Sequence, residues 1–150
     1  MRRRRKISGH MLAEAMMAIM MLAVCALIFT ATLPAAHNSR AKADNFNIAT
    51  SLASKMLEEV RNIGYTNATA TQLAASGLID SATPVATDTY SFTNVDAGIV
   101  DSPASTLTSG VGRLVVEQIG IDLRRVTATV TWSEKGQTKT VSLATLLANV

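Results

Sequence analysis

The stretch Arg2-Arg3-Arg4-Arg5-Lys6-Ile7-Ser8-Gly9-His10-Met11-Leu12-Ala13-Glu14 is followed by nineteen uncharged residues from Ala15 to Leu33, and Pro34 ends the run. As a helix rising ~1.5 Å per residue, those nineteen span about 28 Å, against a bilayer hydrocarbon core of about 30 Å. The basic block in front places the N-terminus in the cytoplasm and sends the remainder across the membrane. Three ordinary sequences share this outline. A cleavable secretory signal has a shorter apolar core of about 7–15 residues and a small-residue cleavage site, for which Pro34-Ala35-Ala36 would serve. A twin-arginine export signal shares the Arg run, and a plain signal anchor fits the length.

None of the three accounts for Glu14. It opens the apolar helix, with only uncharged residues after it for nineteen positions. A carboxylate at the centre of a membrane helix costs about 2.5–3.5 kcal/mol on insertion scales, and less near the helix end. An ionisable group in such a place points to function, and the function lies in the partner that neutralises it.

With Gly9 closing a short basic leader, Glu14 five residues beyond it and an apolar helix following, the N-terminus resembles that of type IV prepilins and pseudopilins. The resemblance implies that a prepilin peptidase cuts after Gly9 and methylates the new N-terminus at His10. It also implies that Glu14 serves filament assembly. The cut leaves a cationic amine at His10, and Glu14 of a neighbouring subunit can neutralise it inside lipid, where a charge pair counts for more than in water. Such pairing would set the register between subunits. The family usually carries Phe after the cut, often with Thr next, and its helix-bending Pro comes slightly earlier. This chain has His10, Met11 and Pro34.

Beyond the apolar run, Phe46, Ala49, Leu52, Ala53, Met56, Leu57, Val60 and Ile63 recur at spacings of three and four. They predict an amphipathic helix over 38–63, with Gly64 as its stop. His10 to Ile63 then reads as one interrupted helix. Its first half is apolar all round, for a membrane or a filament core, and its second half is apolar on the side that packs on a sheet. Residues 66–110, rich in Thr, Ser, Ala and Asp, read mostly as loop, with a short helix over Leu73–Ile79 and a strand over Thr89–Val95. Arg125-Val126-Thr127-Ala128-Thr129-Val130-Thr131-Trp132 alternates strictly, the signature of a half-buried strand whose Val126, Val130 and Trp132 face inward. Ser133 to Gln137 is its turn, Thr138 to Leu147 its hairpin partner, and Leu114–Gln118 an earlier strand. Three or four antiparallel strands against the helix make an α+β domain. This hairpin and the segment Leu57-Glu58-Glu59-Val60-Arg61 resemble minor pilins and minor type II secretion pseudopilins, so the resemblance covers both ends and leaves 66–110 unmatched.

Composition narrows the remaining functions. The chain has 150 residues, room for one domain, and the formal charge of +3 arises from its leader. Residues 7–150 hold nine Lys/Arg against eleven Asp/Glu, so no nucleic-acid surface is expected on the head. The single cysteine, Cys25, lies in the apolar run and excludes an intrachain disulfide. Only His10 and His37 are histidines, too few for a dyad or a metal centre, and Asp80, Asp88, Asp96 and Asp101 lack the dense spacing of a calcium loop. Asn67-Ala68-Thr69 fits a glycosylation sequon, a pattern short enough to arise by chance. No cofactor and no enzymatic activity are expected.

The expectation is therefore a leader over 1–9, a transmembrane or filament-core helix over 10–34, and an amphipathic helix with an α+β head over 35–150. The processed chain would sit in the inner membrane with its head outside the cytoplasm, and pass into a pilus or pseudopilus. The partners implied by the resemblance are the prepilin peptidase, other pilin subunits, membrane lipid and the inner-membrane assembly platform with its ATPase. The alternative from another class is a secreted or membrane-anchored binding domain with an ordinary signal sequence, in which Glu14 is accidental.

Overall fold

A computed structural model describes residues 9–95, Gly98 and 100–149. The expected leader, 1–9, lies outside the described residues except for Gly9. The chain divides into two compact units, Met1–Ala41 and Lys42–Val150. One helix, α1 (Gly9–Ile63, 55 residues), supplies the described part of the first unit and opens the second.

In the first unit, Met11–Leu33 forms a stretch of 23 residues with mean hydropathy 2.4, long and apolar enough to cross a membrane. Its large apolar side chains, from Met11 to Leu33, are 55–75% exposed. So much contiguous apolar surface calls for lipid or other helices around it. The two threonines near its end need no outside partner. The Thr30 hydroxyl donates to the carbonyls of Ala26 and Leu27, and that of Thr32 to Ile28 and Phe29, at 3.0–3.1 Å. The helix expected to be interrupted is continuous in its backbone through Pro34. A proline deletes one helical hydrogen bond, here that to the Thr30 carbonyl, and the bonds on either side carry the helix past it.

The second unit is an α+β domain. Its short elements are α2 (Ala70–Ala75), β1 (Thr89–Ser91) and α3 (Pro103–Thr106), followed by β2 (Val111–Gly120), β3 (Leu123–Glu134) and β4 (Gln137–Ala148). The sheet is antiparallel throughout in the order β1-β2-β3-β4, a meander. Along β3 the burial follows the alternation of the sequence: Val126, Ala128 and Val130 are fully buried and Trp132 is 3% exposed. Across the ladder stand Leu114 opposite Ala128 and Val141 opposite Val130, so one sheet face is apolar. The α1 stripe of Ala49, Leu52, Ala53, Met56 and Val60 is buried in the same core. Phe46 departs from the expected stripe: it is 53% exposed, one turn before the first buried position, Ala49. Gly64, at φ +82°, ends α1, and its N–H reaches back to the carbonyls of Val60 and Arg61.

Several boundaries move. The helix expected over Leu73–Ile79 is Ala70–Ala75, and Leu78 and Ile79 enter the core after the chain has turned at Gly77. The strand expected over Thr89–Val95 stops at Ser91. The turn expected over Ser133–Gln137 contracts to Lys135-Gly136, since Glu134 and Gln137 pair. Both turn residues have positive φ, +49° and +76°, which matches the twist of the strands they join.

Candidate functional site

The candidate site is the N-terminal end of α1. Gly9 and His10 are helical in backbone, and their side-chain surroundings lie outside the described residues. Glu14 is exposed and lies within the Met11–Leu33 stretch, three residues from its start. His10 and Glu14 are four apart, so they fall on the same helix face, separated by about 6 Å of rise. Among the described residues no side chain bonds to Glu14 or forms an ion pair with it. Its surroundings are apolar: Leu12, Met16 and Met17 all stand 62% exposed or more. The arrangement is a carboxylate held on a lipid-sized apolar cylinder, able to accept a cation brought to it from outside the helix.

The remaining candidates are accounted for within the head. Asp80, weighed as a calcium ligand, closes a loop instead. One carboxylate oxygen accepts from the Thr93 N–H at 3.0 Å and from the Ser91 hydroxyl, the other from the Asn94 N–H at 2.9 Å. The Phe92 N–H still donates to the Gly112 carbonyl of β2, and the Asp80 bonds to Thr93 and Asn94 turn the chain just beyond it, which is why β1 is short. Asp101 meets Lys55 at 3.5 Å on the surface, and Asp88 is exposed at φ +50°. Asp96 lies outside the described residues. Among the described residues no three His, Cys, Asp or Glu side chains approach closely enough to hold a metal. His37 and Cys25 are exposed on α1. Asn67 and Thr69 of the sequon are exposed, the Asn67 amide lying 3.4 Å from the Ile63 carbonyl. An open groove of about 440 Å³ runs between α1 and β4, lined by Ser54, Leu57, Glu58, Arg61, Leu143 and Thr145.

Sequence reasoning missed the contacts that fasten the end of α1 to the sheet. Arg124 on β3 donates to the carbonyls of Tyr65 and Ala68, and the Tyr65 hydroxyl donates to the Ile121 carbonyl at 3.0 Å. Arg61, in the last turn of α1, donates to the Thr145 hydroxyl at 2.8 Å. An arginine at the edge of an alternating strand was the one signal available, and alternation alone does not say what such a side chain reaches.

Compared with known protein families, with curated proteins and with solved structures, the chain finds no match.

Proposed function

We propose that the protein is a structural subunit of the minor pilin or pseudopilin type, processed after Gly9, methylated at His10 and built into a filament through its N-terminal helix. The observation that carries this reading is Glu14, a carboxylate near the start of a 23-residue apolar stretch. An ordinary signal sequence has no use for a charge there, whereas a subunit whose neighbour brings a cationic N-terminus does. Support also comes from α1 itself. The helix that carries the apolar stretch continues to Ile63 and contributes Ala49, Leu52, Ala53, Met56 and Val60 to the core of the head. The apolar stretch and the helical part of the folded domain thereby belong to one helix.

On this reading the helix holds the subunit in the inner membrane until assembly and in the filament core afterwards. The partners are prepilin peptidase, membrane lipid, the assembly platform and other pilins. The competing reading, an anchored or secreted binding domain, gives Glu14 no role. The two separate on Glu14→Ala. Removing a costly charge leaves membrane insertion unchanged or easier, and the scissile bond after Gly9 is untouched. Incorporation into filaments should be lost, because the partner's amine would stay unpaired in a low-dielectric core. The amount of subunit recovered with sheared filaments, at equal membrane level, measures it, and normal incorporation of Glu14→Ala would reject the pairing.

A further inference from the structure

A polar pocket of about 200 Å³ opens on the head, floored by Val116 and Gln118 of β2. Asp88 and Tyr90 form its wall on the β1 side, Arg124 its wall on the β3 side, and Thr69, the residue before α2, a third side. Register gives the width. The Val116 N–H donates to the Asp88 carbonyl at 2.9 Å, and Gln118 stands opposite Arg124. Asp88 and Arg124 are thus two strand spacings apart across the sheet and two residues apart along it, so their Cα atoms lie about 12 Å from each other. The two charges face each other across a gap and do not pair.

The polar groups around this gap keep bonding capacity. Both N–H groups of Arg124 Nη1 go to the carbonyls of Tyr65 and Ala68, and the stack on the Tyr65 ring fixes the guanidinium plane. A guanidinium has five N–H donors, so the three on the Nη2–Nε edge have no partner among the described residues. That edge is a planar fork able to take a carboxylate with two parallel bonds. Among the described residues no ion pair or side-chain hydrogen bond reaches the Asp88 carboxylate, the Tyr90 hydroxyl or the Thr69 hydroxyl either. Asp88 has φ +50°, a conformation that Asn or Gly adopts as readily, so its turn gives no reason for its charge.

We propose that this pocket binds a small zwitterion of the amino-acid kind. Its carboxylate sits on the Nη2–Nε edge of Arg124 and the Thr69 hydroxyl, its ammonium on the Asp88 carboxylate and the Tyr90 hydroxyl oxygen. Charges of both signs on opposite walls select this class. A simple anion meets Asp88 as well as Arg124, and a simple cation meets Arg124 as well as Asp88. A zwitterion offsets the desolvation of each of its charges against an opposite one. The volume is below the about 300–1,000 Å³ of pockets for drug-sized ligands and suits a molecule of a few heavy atoms. Arg124 is already held by its bonds to Tyr65 and Ala68, so binding has little left to order on that side. Every residue of the site lies in the Lys42–Val150 unit, so the site is independent of the filament reading.

The test is isothermal titration calorimetry on the full chain in detergent micelles. The probes are glycine, β-alanine and γ-aminobutyrate, zwitterions whose charges lie progressively further apart, with acetate and methylamine as single-charge controls. The expected result is saturable binding of at least one zwitterion, with neither control competing. Asp88→Asn keeps a residue that tolerates positive φ, so the melting temperature should hold while affinity falls about 10–100-fold, the worth of one charge-assisted bond. Tyr90→Phe should weaken binding less. No saturable binding of any of the three, equal binding of acetate or methylamine, or undiminished binding to Asp88→Asn overturns the proposal and leaves the filament reading standing.

Discussion

Arg124 clasps Tyr65. The guanidinium lies 4.5 Å above the Tyr65 ring centre, and its Nη1 donates to the carbonyls of Tyr65 and Ala68, each at 2.9 Å. Those carbonyls sit just past the end of α1, where the backbone has left the helix and lacks helical partners. One side chain thus fastens the end of the long helix to the start of β3.

Replacing it should loosen that junction. Arg124→Ala removes two charge-assisted bonds and a stacked cation, and should destabilise the head by about 1–3 kcal/mol. Arg124→Lys keeps the charge without the planar stack and should recover only part of the loss. Thermal melts of a fragment beginning at Lys42 measure both, since the buried apolar core, Ala49 to Leu147, lies within that unit. Equal stability of the Ala variant and the parent would show the clasp to be incidental.

Trp132 tests the inner face of β3. It is 3% exposed, and its Nε1 has no hydrogen-bond partner among the described residues. Trp132→Ala should cost about 3–5 kcal/mol. Trp132→Phe keeps most of the ring and removes the orphaned donor, and should cost less than about 1.5 kcal/mol. Thr127→Lys, on the opposite and half-buried face, should be milder than Trp132→Ala in the same melts. Equal damage at Thr127 and Trp132 would mean that both faces of the strand are covered.

Gly112 tests the packing of β2 on the loop after β1. A Cβ at this position would lie 2.5 Å from ring atoms of Phe92, which is fully buried. Gly112→Ala should therefore destabilise by about 1–3 kcal/mol through overpacking. If the clash is the cause, Phe92→Leu combined with Gly112→Ala should be more stable than the sum of the two separate losses. Simple additivity in chemical denaturation would place the damage elsewhere.

The parts of the fold that were readable are those whose periodicity is set by one continuous face. The α1 stripe ends at Gly64 as its spacing indicates, and Val126, Val130 and Trp132 point inward as their alternation requires. The parts that were not readable depend on distant partners. Nothing local in Thr89–Val95 says that Asp80 will take the amides of Thr93 and Asn94 and stop the strand. Nothing local in Leu78-Ile79 separates a buried extended pair from the end of a helix. Phe46 continues the apolar spacing of α1 but lies a turn before the first buried position, so its period is right and its burial wrong. For the candidate site, the sequence supplied its meaning, because Glu14 is conspicuous only against the apolar residues around it. On the proposed reading, the partner of Glu14 belongs to an assembly and not to one chain.

The most direct measurement of the central claim is the N-terminus of the mature chain, by intact mass and N-terminal sequencing of protein extracted from membranes. The account predicts a chain that begins at His10 and carries an added methyl group on its amine. A mature chain beginning at Ala35, Ala36 or His37 would contradict it, since an ordinary signal peptidase would then have removed Glu14 together with the helix that gives it meaning.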